Sequence, residues 1–235
     1  MEGEVTSILM LAYCTNGFMS NLTRKTVRSL ARNTVGEYEL VLLRNGGKEL
    51  DWTLEDEGVP GKQFSTDNGV RLGLASAYNK AASLSSGDVL CVLHNDVLLP
   101  QGWNVPLEDA ARKGCIAFPM VDESHSHCNL RGIVKTEPWQ TTGSCFMLSR
   151  ETWEKLGGYD EGFKGFHWED TDLFARAHFS GIRLVRCDVT VEHYRGATRT
   201  YTKSEEKENF EQNMECYKKK HGSVLPYISV TPQEV

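Results

Sequence analysis

Long apolar runs are missing from this sequence. No stretch approaches the roughly 18 to 20 consecutive apolar residues that a helix needs to cross a bilayer. The N-terminus, Met1 to Glu4, lacks the basic start and apolar run of a signal peptide. These absences predict a cytoplasmic protein with no transmembrane segment.

The chain also lacks the cysteine patterns of a disulfide framework or a structural zinc site. Its seven cysteines are odd in number and scattered, and none forms a C-x-x-C pair. Reduced thiols that are mostly buried as small apolar groups are therefore expected.

An excess of positive charge is missing as well. The 26 basic residues are outnumbered by 32 acidic ones, and the formal net charge is -6. Proteins that hold nucleic acid tightly neutralise its phosphates with Lys and Arg, and anionic membranes attract basic segments in the same way. The charge balance disfavours both kinds of partner.

The first half of the chain alternates short apolar runs with amphipathic stretches. Such alternation predicts strands and helices that build a mostly parallel sheet. The predicted strands cover residues 5–13, 39–44 and 88–93, and the predicted helices cover 22–33 and 72–84. The run at 88–93 is apolar almost throughout, as expected of a central strand covered on both faces.

The second half is less regular. A polar stretch at 124–140, rich in His, Trp and Pro, predicts a long loop, and loops of that length are usually functional. The remaining predictions are strands at 116–121, 144–148, 182–186 and 190–192 and helices at 150–156, 171–179 and 203–221. One domain over residues 1–202 is expected, with a C-terminal helix and tail, 203–235, packed on it.

Four segments, taken in order, resemble the inverting glycosyltransferases of family 2. They are Leu72 to Asn79; Leu93 to Asp96, at the place of that family's D-x-D motif; Thr142 to Leu148 followed by Leu156 to Glu161; and Trp168 to Leu173 with Arg176, followed by Val191 to His193. The resemblance implies a GT-A fold, which is an α/β, Rossmann-like three-layer sandwich with a central mostly parallel sheet. It also implies metal-dependent transfer of a sugar from a nucleoside-diphosphate sugar to an acceptor hydroxyl, with inversion.

A diphosphate leaving group builds up negative charge that a divalent cation can neutralise. By resemblance, Asp96 and His193 hold that cation, either Mn2+ or Mg2+, of which imidazole suits Mn2+ better. The alternatives are that Asp96 only starts a turn and that His193 is structural. His94 replaces the first Asp of D-x-D and receives no metal role.

The acceptor hydroxyl must lose a proton as it attacks, which calls for a carboxylate base. The resemblance assigns Asp170 as the base and Glu169 as a supporting residue, both before a predicted helix whose dipole favours ionised carboxylates. Helix capping would explain one of these residues but not the whole Trp168-Glu169-Asp170 run. The acceptor side is completed by Gly143 and by Trp168, whose ring either stacks on a sugar or packs in the core.

The donor site is expected at the ends of the first strands. By resemblance the donor is bound by Ala12, Tyr13, Asn45, Arg71, Asn79, Asn95 and Arg195. The two arginines would face the diphosphate, with a plain surface role as the alternative. The family's Asp-Asn-Gly is Arg44-Asn45-Gly46 in this chain, so UDP-, dTDP- and GDP-sugars all remain possible donors. The acceptor, whether glycan, protein, lipid-linked or modified base, is open.

Two other functions compete with the transferase hypothesis. A sugar-1-phosphate nucleotidyltransferase shares a related fold, but the Gly-rich loop that it carries after the first strand is missing at Cys14 to Gly17. A catalytically weak sugar-nucleotide-binding protein is supported by the altered D-x-D and by Arg44. Under the transferase hypothesis, residues 194–203, small and basic, are expected to form a lid over the donor.

Overall fold

The computed structural model describes residues 5–66, 69–123, 143–198, 202–222 and 231–232. The elements in chain order are β1 (Thr6–Cys14), α1 (Gly17–Asn33), β2 (Tyr38–Gly47), β3 (Gly61–Ser65), α2 (Leu74–Ser83), β4 (Val89–His94), β5 (Val97–Leu98), α3 (Asn104–Arg112), β6 (Ile116–Asp122), β7 (Cys145–Ser149), α4 (Arg150–Leu156), α5 (Glu169–Phe179), β8 (Leu184–His193), α6 (Lys203–His221) and β9 (Thr231–Pro232). The long loop predicted at 124–140 lies outside these residues.

The strands of the described residues form one mixed sheet in the order β3-β2-β1-β4-β7-β6-β8-β5, and β9 adds to β8. Pairing is parallel between β1 and β2, β1 and β4, β2 and β3, β6 and β8, and β8 and β9, and it is antiparallel in the three other pairs. A mostly parallel sheet, as predicted, therefore forms the centre of the fold.

Helices cover both faces of this sheet. Ile8 and Met10 of β1 pack in a cluster with α1 and α3, while Leu9 and Leu11 pack in a second cluster with α2 and α5. Because successive side chains of a strand point to opposite faces, a central strand covered on both faces is apolar at most of its positions. The resulting α/β three-layer sandwich confirms the predicted fold class.

The prediction of two separate strands near the end of the sheet was wrong. Residues 182–186 and 190–192 were expected as two strands, but a single strand, β8, runs through both. The register of β8 against β6 shifts between Phe118 and Met120, which allows the polar interruption at Asp188 without ending the strand.

Short or weakly capped elements escaped the sequence prediction. The strands β3, β5 and β9 and the helix α3 were not predicted, and α1 begins at Gly17 rather than at residue 22. The side chain of Asn16 caps α1 by accepting a hydrogen bond from the Met19 amide at 3.0 Å. The N-terminal end of α3 has no such signal, because Trp103 precedes it and makes no side-chain cap.

The C-terminal helix α6 packs on the body of the sandwich. It begins with a capping box between Thr202 and Glu205. Its Tyr217 is fully buried and forms a third small cluster with Phe163 and Trp168. In the part of the chain that the structure describes, no helix combines the length and the apolar character that crossing a bilayer demands.

Candidate active site

Three side chains with metal-binding atoms meet at the carboxyl end of β4. His94 ends β4, Asp96 follows it, and His193 ends β8. The antiparallel pairing of Val97 with His193 carries the end of β8 to this place. One nitrogen or oxygen atom from each of the three lies within 4.8 Å of the other two.

The geometry of this cluster fits a divalent cation. His193 Nε2 lies 3.4 Å from Asp96 Oδ1, which is buried and accepts no hydrogen bond from the described residues. The other carboxylate oxygen, Oδ2, accepts from Thr198 Oγ1 at 3.0 Å. A buried carboxylate oxygen without a hydrogen bond is costly. A cation between it and two imidazoles would satisfy it, and that donor set suits Mn2+.

His94 is the member that sequence reasoning left without a role. His94 is the last residue of β4, and Asn95 and Asp96 form the turn that follows it. The Asn95 side chain faces α1, where its amide donates to Thr23 Oγ1 at 2.9 Å. The available signal was the position of His94 at the first place of the altered D-x-D motif.

Glu123 is a second carboxylate that the sequence did not single out. Its Oε1 lies 3.2 Å from His193 Nδ1, and its Oε2 lies 3.3 Å from Arg195 Nη1. A carboxylate on the far nitrogen of a histidine fixes the ring so that its other nitrogen points to a metal. Glu123 therefore orients Nε2 of His193 toward Asp96.

The two histidines of the cluster have opposite electrostatic surroundings. Burial lowers the pKa of His94 to about 4, although the charge of Asp96 opposes this. Burial also lowers the pKa of His193, but the nearby carboxylates of Asp96 and Glu123 outweigh this effect and raise that pKa to about 9. A positive charge thus stands between two carboxylates, at the place where a cation would sit.

Glu169 and Asp170 form the first turn of α5 after an unusual piece of backbone. His167 and Trp168 have φ angles of 76° and 73°, in the left-handed region that non-glycine residues rarely adopt. Two such residues in succession turn the chain sharply into the helix. Strain of this kind is typical of functional sites.

Gly143 lies directly against the Asp170 carboxylate. A first side-chain carbon at position 143 would overlap Asp170 Oδ2, so glycine leaves the room that the carboxylate occupies. Oδ1 accepts a hydrogen bond from the Thr171 amide at 2.7 Å. The structure thus brings together two residues that the sequence assigned to the base and to the acceptor side.

Burial changes the protonation of this carboxylate pair. It raises the pKa of Glu169 to about 8, with the charge of Asp170 adding to the effect. Burial also raises the pKa of Asp170, while hydrogen bonds from Thr171 oppose the increase. Glu169 therefore keeps its proton at neutral pH, and Asp170 is the member that ionises first.

The raised pKa of Glu169 predicts a pH-dependent loss of stability. Between pH 4.5 and about 8 the unfolded chain releases this proton while the folded chain retains it, so stability falls as pH rises and then levels off. Glu169→Gln stays neutral, and its melting temperature should exceed that of the wild type by several degrees at pH 8 but not at pH 4.5. Thermal unfolding across this range measures the difference. The exposed Glu154→Gln variant should show no such trend, and parallel curves for Glu169→Gln and the wild type would contradict the assignment.

Two residues expected at the donor lie together at the end of β1. The guanidinium carbon of Arg71 is 4.0 Å from the centre of the Tyr13 ring, a cation-π contact. Arg71 is exposed and Tyr13 is half-buried. Ala12, by contrast, is fully buried, so its side chain offers no surface to a ligand.

Asn45 and Asn79 have structural partners. The Asn45 side chain exchanges hydrogen bonds of 2.9 and 2.8 Å with the backbone of Leu72. Asn79 makes two hydrogen bonds of 2.9 Å with the backbone of Tyr159. Both amides fasten loops at the edge of the expected donor site.

The segment after His193 begins by bonding to Asp96. The Tyr194 amide donates to the Asp96 carbonyl oxygen at 2.9 Å, and Thr198 binds the carboxylate as described above. The expected lid covers residues 194–203, of which 199–201 lie outside the described residues. Within the described part of this segment, Tyr194 and Thr198 are hydrogen-bonded to Asp96, whereas Thr202 and Lys203 lie at the start of α6.

Trp168 is buried rather than open to a ligand. Only 9% of its surface is exposed, and its ring lies 5.2 Å from that of Tyr217 and 5.4 Å from that of Phe210, measured between centroids. Both partners belong to α6. The packing alternative for this tryptophan is therefore favoured over stacking on a sugar.

The known proteins that resemble this chain in sequence have the names of glycosyltransferases. A family model described as the N-terminal domain of galactosyltransferase matches residues 124–200. A Drosophila melanogaster protein named as a putative polypeptide N-acetylgalactosaminyltransferase is 26% identical over an alignment 216 residues long, and the alignment covers 73% of this chain and 39% of that protein. This chain thus spans about two fifths of that relative's length.

Solved structures share the fold at low sequence identity. GalNAc-T7, solved with UDP, GalNAc and Mn2+, superposes with a TM-score of 0.62 at 18% identity, covering 82% of this chain and 44% of that one. A mannosyltransferase from Pyrobaculum calidifontis, solved with GDP-Man and Mn2+, has a TM-score of 0.55 at 15% identity, covering 82% and 57%. Both superpositions extend over the sandwich described above.

Proposed function

We propose that this chain is a glycosyltransferase of the GT-A superfamily, and that it transfers a sugar from a nucleoside-diphosphate sugar to an acceptor hydroxyl with metal dependence and inversion. One observation carries the proposal: the metal-binding cluster and the carboxylate pair both contact the adjacent residues Gly143 and Ser144. The His94 amide donates to the Ser144 carbonyl oxygen at 2.8 Å, and the preceding Gly143 lies against Asp170. The cation ligands and the base therefore flank one short stretch of chain.

The electrostatics of Tyr78 support the same proximity. Burial raises the pKa of this tyrosine well above its ordinary value, and the negative charges of Asp96 and Glu169 add to that increase. The hydroxyl of Tyr78 thus lies close enough to a carboxylate of the metal-binding cluster, Asp96, and to one of the carboxylate pair, Glu169, for both charges to act on it. A donor diphosphate on the cation and an acceptor at the base would meet within this space.

We propose Asp96, His193 and His94 as the ligands of the cation. Two imidazoles and one carboxylate favour Mn2+ over Mg2+, which prefers oxygen ligands throughout. When bound, the cation would neutralise charge on the departing diphosphate. The presence of Mn2+ in both solved relatives supports this assignment.

The donor would lie between the cation and the end of β1. The half-buried Tyr13 and the exposed Arg71 form an aromatic and cationic pair there, suited to a nucleotide and its phosphates. Arg195 is exposed beside Glu123 and would approach the diphosphate from the other side. Asn45 and Asn79 would act indirectly, by holding the loops that border the donor, and Ala12 would contribute main chain only.

The base in this proposal is Asp170. The acceptor oxygen attacks the anomeric carbon from the face opposite the diphosphate and passes its proton to Asp170 as the new bond forms. The bond from the anomeric carbon to the phosphate oxygen breaks, and its electron pair leaves with the diphosphate. Because attack and departure occur on opposite faces, one displacement inverts the anomeric configuration. Glu169, protonated at neutral pH, would donate a hydrogen bond to the acceptor.

A panel of UDP-, dTDP- and GDP-sugars with Mn2+ tests the proposal. We expect release of nucleoside diphosphate, slow as hydrolysis without an acceptor and faster with one. NMR of the product from an alpha-linked donor should show a beta linkage. Pyrophosphate release would instead indicate a nucleotidyltransferase, and tight donor binding with no release would indicate a binding protein. A retained alpha linkage would overturn the single displacement.

A further inference from the structure

The C-terminal helix α6 holds the loop that leads into the carboxylate pair. Asn213, in the middle of α6, is 3% exposed. Its Nδ2 lies 2.8, 3.0 and 2.9 Å from the carbonyl oxygens of Lys164, Phe166 and His167, and its Oδ1 accepts from the Lys164 amide at 3.1 Å. The side chain of Asn213 thus forms hydrogen bonds with three carbonyl oxygens and one amide of this loop.

These hydrogen bonds end at the left-handed turn. His167, whose carbonyl oxygen accepts from Asn213, and the following Trp168 are the two non-glycine residues with positive φ in the described part of the chain. Such a conformation persists only where its surroundings enforce it. Asn213 enforces it by hydrogen bonding, and the packing of Trp168 on Tyr217 adds a second contact from the same helix.

The helix α6 also binds α5 at a residue that follows the carboxylate pair in the chain. Asp172, fully buried in α5, accepts from Lys220 Nζ at 2.9 Å and from His221 Nε2 at 2.8 Å. Glu169 and Asp170 therefore lie between two points that α6 holds, one before them and one after. The family model ends at residue 200 and does not include this helix.

We infer that α6 belongs to the catalytic unit and that Asn213 is a positioning residue for Glu169 and Asp170. The inference rests on the proposed transferase function. Asn213 does not reach the reacting atoms. It keeps the left-handed turn in the one conformation that aims both carboxylates at the acceptor, and small displacements of a catalytic group of about 1 Å are enough to cost on the order of 100-fold in rate.

The test is Asn213→Asp, which keeps the shape and the acceptor but removes the donating amide. The exposed neighbour Gln212→Ala, on the same helix, is the matched control. We expect kcat to fall by about 10- to 100-fold. The dissociation constants for Mn2+ and for the nucleoside diphosphate should stay within about twofold, because their site is held by β4 and β8.

A second measurement does not depend on activity. Hydrogen exchange of the amides from Lys164 to Thr171 should speed up in Asn213→Asp but not in Gln212→Ala, while amides of β4 and β8 remain protected. If Asn213→Asp fails to fold, Asn213→Ser serves with the same expectations. Adding His167→Gly should restore part of the lost rate, because glycine adopts positive φ without strain.

Three results would overturn the inference: unchanged exchange at the turn, unchanged kcat in a folded variant, or a loss of kcat that runs parallel to a loss of Mn2+ binding. Failure of the transferase proposal is a separate outcome. It would appear as a wild-type protein that consumes no donor of the panel, and the exchange experiment would still decide whether Asn213 holds the turn.

Discussion

Asp170→Asn should lower kcat by about 100- to 10,000-fold, the usual effect of removing a general base. The amide keeps the shape of the carboxylate beside Gly143, so the fold and the donor site should be unaffected. Donor and Mn2+ affinities should therefore stay close to those of the wild type. Initial rates with saturating donor, together with titrations of nucleoside diphosphate, measure the two quantities separately.

The pH dependence of the rate provides a second readout for Asp170. Burial raises the pKa of this carboxyl, and the base works only when ionised. The wild-type rate should rise with pH through that raised pKa and then level off, and Asp170→Asn should lack this rise. The exposed Asp188→Asn variant, on β8, is the control and should behave like the wild type. Near-normal turnover in Asp170→Asn would show that another group accepts the proton.

Asp96→Ala and His193→Ala should each weaken Mn2+ binding by about 100-fold or more, because even partners outside the ligand shell typically cost 10- to 100-fold. Each variant removes one of three donor atoms that lie within 4.8 Å of one another. Metal-supported donor binding and turnover should disappear together. Electron paramagnetic resonance of free Mn2+ and the Mn2+-induced rise in melting temperature both report the loss.

Two further variants separate a direct ligand from a supporting residue. His94→Ala should reduce Mn2+ affinity as strongly as the first two if all three side chains bind the cation. Glu123→Gln retains an acceptor for His193 Nδ1 and should have a smaller effect than Glu123→Ala. Full Mn2+ dependence in both Asp96→Ala and His193→Ala would show that the cation lies elsewhere. Circular dichroism of each variant checks that the fold is retained.

Local patterns in the sequence were sufficient for most of the architecture. The strands β1, β2 and β4 were predicted because both faces of the sheet are covered, which makes their apolar runs continuous. The helix α4 was predicted with its observed bounds, and in the structure Ser149 caps its start and Gly157, with φ of 76°, ends it. Strands of two residues, such as β5, are too short to produce a periodic signal.

The candidate site was predictable only in part. Asp96, His193, Glu169 and Asp170 were identified through motifs that resemble a known family, but His94 and Glu123 were not. A histidine and a glutamate carry no local sign of the groups that they face. Their partners depend on where β4, β6 and β8 end relative to one another, which is a property of the assembled sheet.

The sequence by itself determined the α/β class and the central strands, because the hydrophobic period is set by a few neighbouring residues. Only the tertiary structure decided that β5 pairs with β8 and so brings His193 to Asp96. It also decided that Asn213 reaches the turn before Glu169. These contacts join residues distant in the chain, and their register follows from packing of the whole sandwich rather than from the preference of any segment.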